Sequence, residues 1–348
     1  MPGKRVDLRA MRTHVKLFAT PGTEYLLDDV TAKVASAMAV DTDNEVSQGV
    51  VSVARFSNEN LEVQVDNVRD HIVVVLHTQV PPVSDNLVAL MALLDAINNA
   101  HPRQTFVVFP YMPYSRSDRK NRPRISVMGQ RFPEILNKVL GVRRVLLVEP
   151  HAAHLKQYFV PTADEIPAFP TLMQYVEDRF LSTGDRKDFV AVFADAGAAK
   201  RFENVPPAFG MSQAFVHKAR LDHSESPVVR GIAGDVRAKH CLLLDDEILT
   251  GGTVLKDAKM LKELGAASVR VVCAHGILAD RKCSTLELMR RLVDSPVDEY
   301  ILTDTIPLAD KIALAPEKFT VVPIAPLLGE AIKRMVMGES LSELHTLD

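Results

Sequence analysis

Short apolar runs alternate with segments of helical apolar spacing along almost the whole chain, and no other feature restricts the fold as much. The runs Val15–Ala19, His71–His77, Thr105–Phe109, Arg144–Val148, Phe189–Phe193, His240–Leu244, Val269–Ala274, Tyr300–Leu302 and Phe319–Ile324 read as strands. Between them, Asn86–Asn99, Val127–Leu140 and Val254–Leu264 place apolar residues at the spacing of one helix face. This alternation predicts an α/β fold, with mostly parallel sheets flanked by helices on both faces. At 348 residues the chain is long enough for two core-bearing domains. The Pro- and acid-rich stretch Val160–Pro170 is the expected linker, dividing the chain into 1–164 and 165–348. Ligands of such sheets bind beyond the carboxyl ends of the strands. The polar segments Tyr111–Lys120, Glu149–His154, Asp195–Lys200 and Asp245–Thr253 all fall there.

Composition narrows the function. A formal net charge of -3 argues against a general nucleic-acid binder. No apolar run reaches the roughly 18 residues needed to span a membrane. Met1–Arg12 is basic but lacks the apolar stretch of a secretion signal, so a soluble cytoplasmic protein is expected. The three cysteines show no metal-ligand spacing, and Cys241 and Cys273 lie in apolar strands, as reduced core residues do.

The most informative chemistry lies at Cys241–Thr253, where an apolar strand meets Asp245 and Asp246 and then the turn Thr250-Gly251-Gly252-Thr253. Glycines allow successive N–H groups to point into one concavity, and a following helix adds its positive end, which together cradle a phosphate. Two carboxylates beside that cradle suit sugar hydroxyls or a Mg²⁺ ion. The alternative is an ordinary strand-turn-helix in which the Asp pair caps the helix. Asp195-Ala196-Gly197-Ala198 permits a second set of amides, for a diphosphate, with Gly197 supplying an unusual dihedral; a plain helix N-cap at Asp195 is compatible with the same anion. Lys218 and Arg220 read either as a solvated loop or as cations that close over a transferring group. Phe56, taken alone, is as well explained by a core position.

Several segments in order resemble one family, the ribose-phosphate diphosphokinases (synthetases of 5-phosphoribosyl 1-diphosphate, PRPP). They are Arg55–Asn58, Ser84–Leu87, Phe109–Lys120, Val148–Ala153, Ala194–Arg201, His217–Arg220, Asp245–Thr253, Thr303–Pro307 and Gly338–Ser340. The resemblance implies two type I phosphoribosyltransferase-like domains, the first on the nucleotide side and the second holding ribose 5-phosphate and diphosphate. It implies transfer of the β,γ-diphosphoryl group of ATP to O1 of ribose 5-phosphate, with Mg²⁺ required. Carried onto this sequence, it gives Lys218 and Arg220 catalytic roles, and ribose 5-phosphate to Asp245, Asp246, Thr250, Gly251, Gly252 and Thr253. Phe56, Asn58, Arg116, Asp118, Asp195, Ala196, Gly197 and Ala198 become ATP or diphosphate contacts, and His151 with Asp195 the metal contacts. His154 is not asked for by the pattern and is read as surface. The family further suggests homo-oligomers built from dimers, up to a hexamer, with the Phe-Ser-Asn loop supplied by a neighbour.

Leu249 stands where most members carry Asp, Asn60 replaces a Glu, Ser117 replaces a Gln, and Glu149 replaces an Asp. Ala153 and Lys156 occupy positions where Ser and Gln usually bind regulatory phosphate. Two other functions therefore stay open beside the synthetase. One is a non-catalytic regulatory subunit that associates with the enzyme, against which the retained cationic and acidic residues argue. The other is a phosphoribosyltransferase that consumes PRPP, which would need only one domain.

Overall fold

The computed structural model describes residues 13–39, 44–219 and 228–347. In chain order the first part contains β1 (His14–Ala19), α1 (Leu27–Met38), β2 (Glu45–Gln48), β3 (Val51–Arg55), β4 (Leu61–Val65), β5 (Ile72–Leu76), α2 (Val83–Asn99), β6 (Gln104–Phe109), α3 (Met128–Glu134), β7 (Arg144–Val148) and β8 (Asp164–Ile166). The second contains α4 (Phe169–Val176), β9 (Phe189–Phe193), α5 (Ala196–Arg201), α6 (Val205–Ala208), β10 (Ser212–Ala219), β11 (Val228–Ala233), β12 (His240–Ile248), α7 (Gly252–Glu263), β13 (Ser268–Gly276), α8 (Thr285–Val293), β14 (Glu299–Thr303), α9 (Ala309–Ile312) and β15 (Phe319–Val322). Helix α10 (Ala325–Met337) follows.

Contacts gather the chain into two compact units, Met1–Ile166 with Ala325–Leu341, and Pro167–Ile324 with Ser342–Asp348. A single cut at 164/165 therefore does not describe the division, because α10 packs against α1 of the first unit. The expected linker also holds structure: β8, in spite of its acidic sequence, adds an edge strand beside β7.

Each unit is built on a largely parallel sheet. The first has the order β2-β1-β5-β6-β7-β8, all parallel, and β3 and β4 form a separate antiparallel hairpin. The second has the order β11-β10-β9-β12-β13-β14-β15, antiparallel only between β10 and β11. The central strands β5 and β9 are buried at every position, as parallel strands covered on both faces must be. The helix expected over Val127–Leu140 is α3, which contains Pro133 and continues as a wider π-helical turn over Ile135–Val139. A proline inside a helix removes a backbone hydrogen bond and crowds the preceding turn.

The closest approach of α10 to α1 depends on Gly329. A Cβ added there would lie 2.4 Å from Lys33 Cβ and 3.0 Å from its backbone carbon. Neither can yield without moving α1. Gly329→Val is therefore expected to overpack this contact by about 1–3 kcal/mol and to lower the melting temperature by about 3–10 °C. A thermal melt checks this; an unchanged midpoint would show that the helix contact adjusts freely.

Candidate active site

In the second unit the chain runs from β9 to β10 on one side and returns to β12 on the other. Such a reversal opens a crevice beyond the carboxyl ends of the two central strands. The parallel register pairs Phe193 with Leu244, the last such pair between β9 and β12. Asp195 therefore follows two residues beyond the pair on one strand, and Asp245 and Asp246 follow directly on the other. On its far side β12 stays paired to β13 through Asp245, Glu247 and Ile248. The strand thus runs past the Leu244 expected from the sequence and carries three carboxylates along an edge that β9 has left.

Crowding of these groups sets their electrostatics. Burial, then the charge of Asp246, and further the charge of Asp195, push the Asp245 carboxyl from its ordinary 3.8 up to about 8. Asp246 sits 3.5 Å from the Arg201 guanidinium of α5, an ion pair that joins the two sides of the crevice. Cys273, paired in register with Asp245, is fully buried, and burial raises its thiol well above the usual range. Cys241 is likewise buried, with its thiol raised to about 12. Both are free thiols of the core, as their apolar strands imply.

Asp195 caps α5: its Oδ1 accepts from the N–H of Ala198 at 2.9 Å. Ala196, Gly197 and Ala198 form the first turn of that helix, so Gly197 supplies no left-handed dihedral, contrary to the sequence expectation. What it supplies is room, since a Cβ there would lie 3.1 Å from Asp195 Oδ1. Left-handed geometry occurs instead at Gly251, with φ of 72°, where the loop turns into α7. Gly252 and Thr253 open α7, which has no side-chain cap. The Thr250 hydroxyl accepts a long bond from Gly252 N–H at 3.4 Å.

Strand β10 runs parallel to β9 with Phe215 paired to Phe193, so the Lys218 backbone lies beyond the same ends as Asp195. Lys218 belongs to the strand and is paired to Val229 of β11, with an irregularity between His217 and Lys218. Arg220 lies outside the described residues.

The remaining sequence-derived residues belong to the first unit. Phe56 and Asn58 form the tip of the β3–β4 hairpin, where Phe56 N–H bonds to the Asn60 carbonyl at 3.0 Å and Asn60 N–H to Asn58 Oδ1 at 3.2 Å. Phe56 is 52% exposed, so it is not a core residue. Arg116 is exposed in the segment after β6. Asp118 is held by His154 Nε2 at 3.0 Å and by Arg119 Nε at 3.1 Å. Tyr158 donates to the Asp118 carbonyl at 3.1 Å and meets His154 edge-on. His154, read from the sequence as plain surface, thus anchors Asp118; its partner lies 36 positions away in sequence, and no local signal marks the pair. Ser117, the replacement for Gln, donates to the Ser126 carbonyl and accepts from Met128 N–H, closing the loop onto α3. His151 is half-buried in the turn after β7, two residues beyond the buried, left-handed Glu149.

The corresponding reversal point of the first unit, between β1 and β5, carries no acidic cluster. His77 packs there against Phe109, with its Nδ1 2.7 Å from the Thr20 hydroxyl, and burial lowers its pKa to about 3. The imidazole is neutral at physiological pH and buried, as is Thr20.

The fold and the second crevice together define a largely parallel α/β protein with acidic residues gathered at a strand reversal. Residues 15–139 match the N-terminal domain of ribose phosphate pyrophosphokinase, and residues 203–346 match the phosphoribosyl synthetase-associated domain. The ribose-phosphate pyrophosphokinase of Ralstonia nicotianae is 33% identical over 310 residues, covering 88% of this chain and 94% of that protein. That of Hyphomonas neptunium is 33% identical over 294 residues, covering 84% and 90%. The crystal structure of phosphoribosylpyrophosphate synthetase from Mycobacterium smegmatis superposes with a TM-score of 0.80 at 27% identity, over 94% of this chain and 100% of that one. The chain belongs to the ribose-phosphate pyrophosphokinase family. Among the described residues no helix is long and apolar enough to cross a membrane.

The raised pKa of Asp245 has a consequence for stability. Between the unfolded value near 3.8 and the folded value near 8, the native state keeps a proton that the unfolded chain has lost. Its contribution to stability is therefore present in acid and is lost as pH rises through the folded value. Asp245→Asn has no such proton. Without divalent cations, its urea midpoint relative to wild type is expected to rise between about pH 5 and about pH 8.5. An equal difference at both pH values would contradict a raised Asp245 pKa in the folded state.

Proposed function

We propose that this protein transfers the β,γ-diphosphoryl group of ATP to O1 of ribose 5-phosphate, giving PRPP and AMP. The observation that carries this reading is the register of β9 against β12, with the carboxylates of Asp245 and Asp246 beside the N-terminus of α5 and the loop Thr250–Thr253 following on the same strand. In the reaction O1 loses its proton and bonds to the β-phosphorus while the bond from that phosphorus to the AMP oxygen breaks. In-line phosphoryl transfer depends mostly on positioning and charge stabilisation. Backbone N–H groups of Thr250, Gly251, Gly252 and Thr253 hold the 5-phosphate, and Asp245 and Asp246 orient the ribose hydroxyls. Asp195, Ala196, Gly197 and Ala198 form the diphosphate end, where the N-terminal amides of α5 favour negative charge. Lys218 and Arg220 offset charge on the bridging oxygen as the bond to AMP breaks.

On the nucleotide side, Phe56 stacks on the adenine and Asn58 bonds to its edge, while Arg116 and the segment held by Asp118 contact the phosphates. The exposed Phe56 and the placement of Asn58 at a hairpin tip support this assignment. Mg²⁺ fits the chemistry of the donor set, because Asp195, Asp245 and Asp246 bring carboxylate oxygens to one crevice and hard cations prefer oxygen. Asp195 and His151 are the residues assigned to hold it. When bound, the ion supplies charge neutralisation to the diphosphate oxygens.

Assembly into dimer-based homo-oligomers, up to hexamers, accords with a hairpin that exposes Val53 and Phe56, and the cytoplasm is the compartment assigned.

Incubation with ribose 5-phosphate and Mg-ATP should release AMP and PRPP in equal amounts. Lys218→Ala should lower kcat by about a hundredfold or more with its thermal midpoint retained. If wild type yields neither product with any nucleoside triphosphate, the synthetase reading falls and the regulatory subunit takes its place. Normal turnover in Lys218→Ala would remove that residue from the chemistry.

A further inference from the structure

Helix α8 carries an ion pair that the chemistry above does not use. The helix is fixed at its start by a capping box: the Ser284 hydroxyl accepts from Glu287 N–H at 3.3 Å, and the Glu287 carboxylate accepts from Ser284 N–H at 2.8 Å. Its apolar face sinks Leu288, Met289 and Leu292 into the core. Leu292 rests on the phosphate loop, for a Cβ on Gly251 would lie 2.7 Å from its Cδ2. Beside it, Nη2 of Arg291 donates to the Thr250 carbonyl at 3.1 Å and to Asp280 Oδ2 at 3.1 Å.

Asp280 is itself well anchored. Its Oδ1 accepts from Lys282 N–H at 2.9 Å, and its side chain is 13% exposed. Pairing between the two chain segments continues past the strand ends, with Leu278 N–H on the Ile248 carbonyl at 3.1 Å and Ala279 N–H on the Leu249 carbonyl at 2.9 Å. Asp280 and Thr250 are thus the first residues beyond this pairing on each side, and Arg291 bridges them.

In a trans peptide the carbonyl and the following N–H point in opposite directions. Holding the Thr250 carbonyl on Arg291 therefore turns the Gly251 N–H away from the guanidinium. A glycine admits the left-handed conformation without enforcing it, so a restraint from outside the loop is what selects this peptide plane. Hydrogen bonding to a cation also polarises the peptide and strengthens its N–H as a donor.

We propose that Arg291, braced by Asp280, is a positioning residue for ribose 5-phosphate: it sets the Thr250–Gly251 peptide so that the Gly251 N–H faces the 5-phosphate. This rests on the reading of the Thr250–Thr253 loop as the phosphate cradle. An ion pair that only decorates the surface would leave substrate binding unchanged, whereas this one acts on a single substrate.

The test is steady-state kinetics on wild type, Arg291→Ala, Arg291→Lys and Asp280→Asn. It is paired with calorimetric titration of ribose 5-phosphate in the presence of Mg²⁺ and a non-transferable ATP analogue. Arg291→Ala should raise both KM and Kd for ribose 5-phosphate about tenfold while KM for ATP stays within about twofold, the size of one phosphate hydrogen bond. Asp280→Asn should shift the same constants about threefold, and Arg291→Lys should recover part of the loss. An unchanged Kd in Arg291→Ala, with wild type binding normally, overturns the positioning role and leaves the cradle standing. Equal rises in both KM values together with a lowered melting temperature overturn it in favour of a purely structural pair. A wild type that binds no ribose 5-phosphate overturns the cradle, and the positioning role with it.

Discussion

The parallel pairing of β9 with β12 is the constraint on which the second unit depends. Because β9 ends at Phe193 while β12 continues to Ile248 beside β13, acidic residues occupy strand positions with one flank open. A loop could not present them as firmly, since backbone pairing on the β13 side fixes every second side chain to one face. The same ladder delivers Asp195 to the crevice by way of a helix cap and brings the end of β10 to the same rim. Functional geometry here follows from where strands stop.

That arrangement opposes stability. Burial at the strand end, reinforced by repulsion from Asp246 and Asp195, leaves Asp245 holding its proton. The first unit shows the contrasting solution at its own reversal point, where neutral His77 and Thr20 are buried and satisfy each other. The two sheets share their central strand logic, and they differ in what ends the strand after the reversal: Leu76 leads into His77 and Thr78, whereas Leu244 leads into Asp245 and Asp246. An acidic end makes sense where cationic or hydroxyl-bearing ligands take up the charge, and it would be selected against where packing alone matters.

Most of this was legible in the sequence wherever burial is two-sided. The apolar runs of β5, β6, β7, β9, β12 and β14 announced themselves because both faces are covered, and β1, β13 and β15 did so although Lys16, Arg270 and Thr320 interrupt them. β3 and β4 were missed although Leu61, Val63 and Val65 alternate with Glu62 and Gln64, because that apolar face is only half-buried and neither strand forms a continuous apolar run. β8 was hidden by Asp164 and Glu165, which pair with Arg144 and Lys156 at the sheet edge. The acidic and glycine signals located the crevice, because local backbone demands leave local traces. His154, Asp280 and Arg291 left none: each acts through a partner that only the fold brings near. Gly197 shows the limit of motif logic, for the residue was recognised and its reason was steric clearance of Asp195, not a special dihedral.

The replacement at Leu249 can be judged on the same terms. Its backbone carbonyl carries the pairing to Ala279, which any residue provides, and its side chain is 41% exposed. Backbone amides bind the phosphate in a cradle of this kind, so the loop keeps its shape without an acid at this position. A carboxylate there would add another negative charge to a crevice that already forces Asp245 to stay protonated near neutral pH. Leucine relieves that repulsion and removes one oxygen donor, which leaves orientation of the loop to contacts from outside it. Arg291 and Leu292 supply such contacts, a cation on the Thr250 carbonyl and an apolar seat under Gly251.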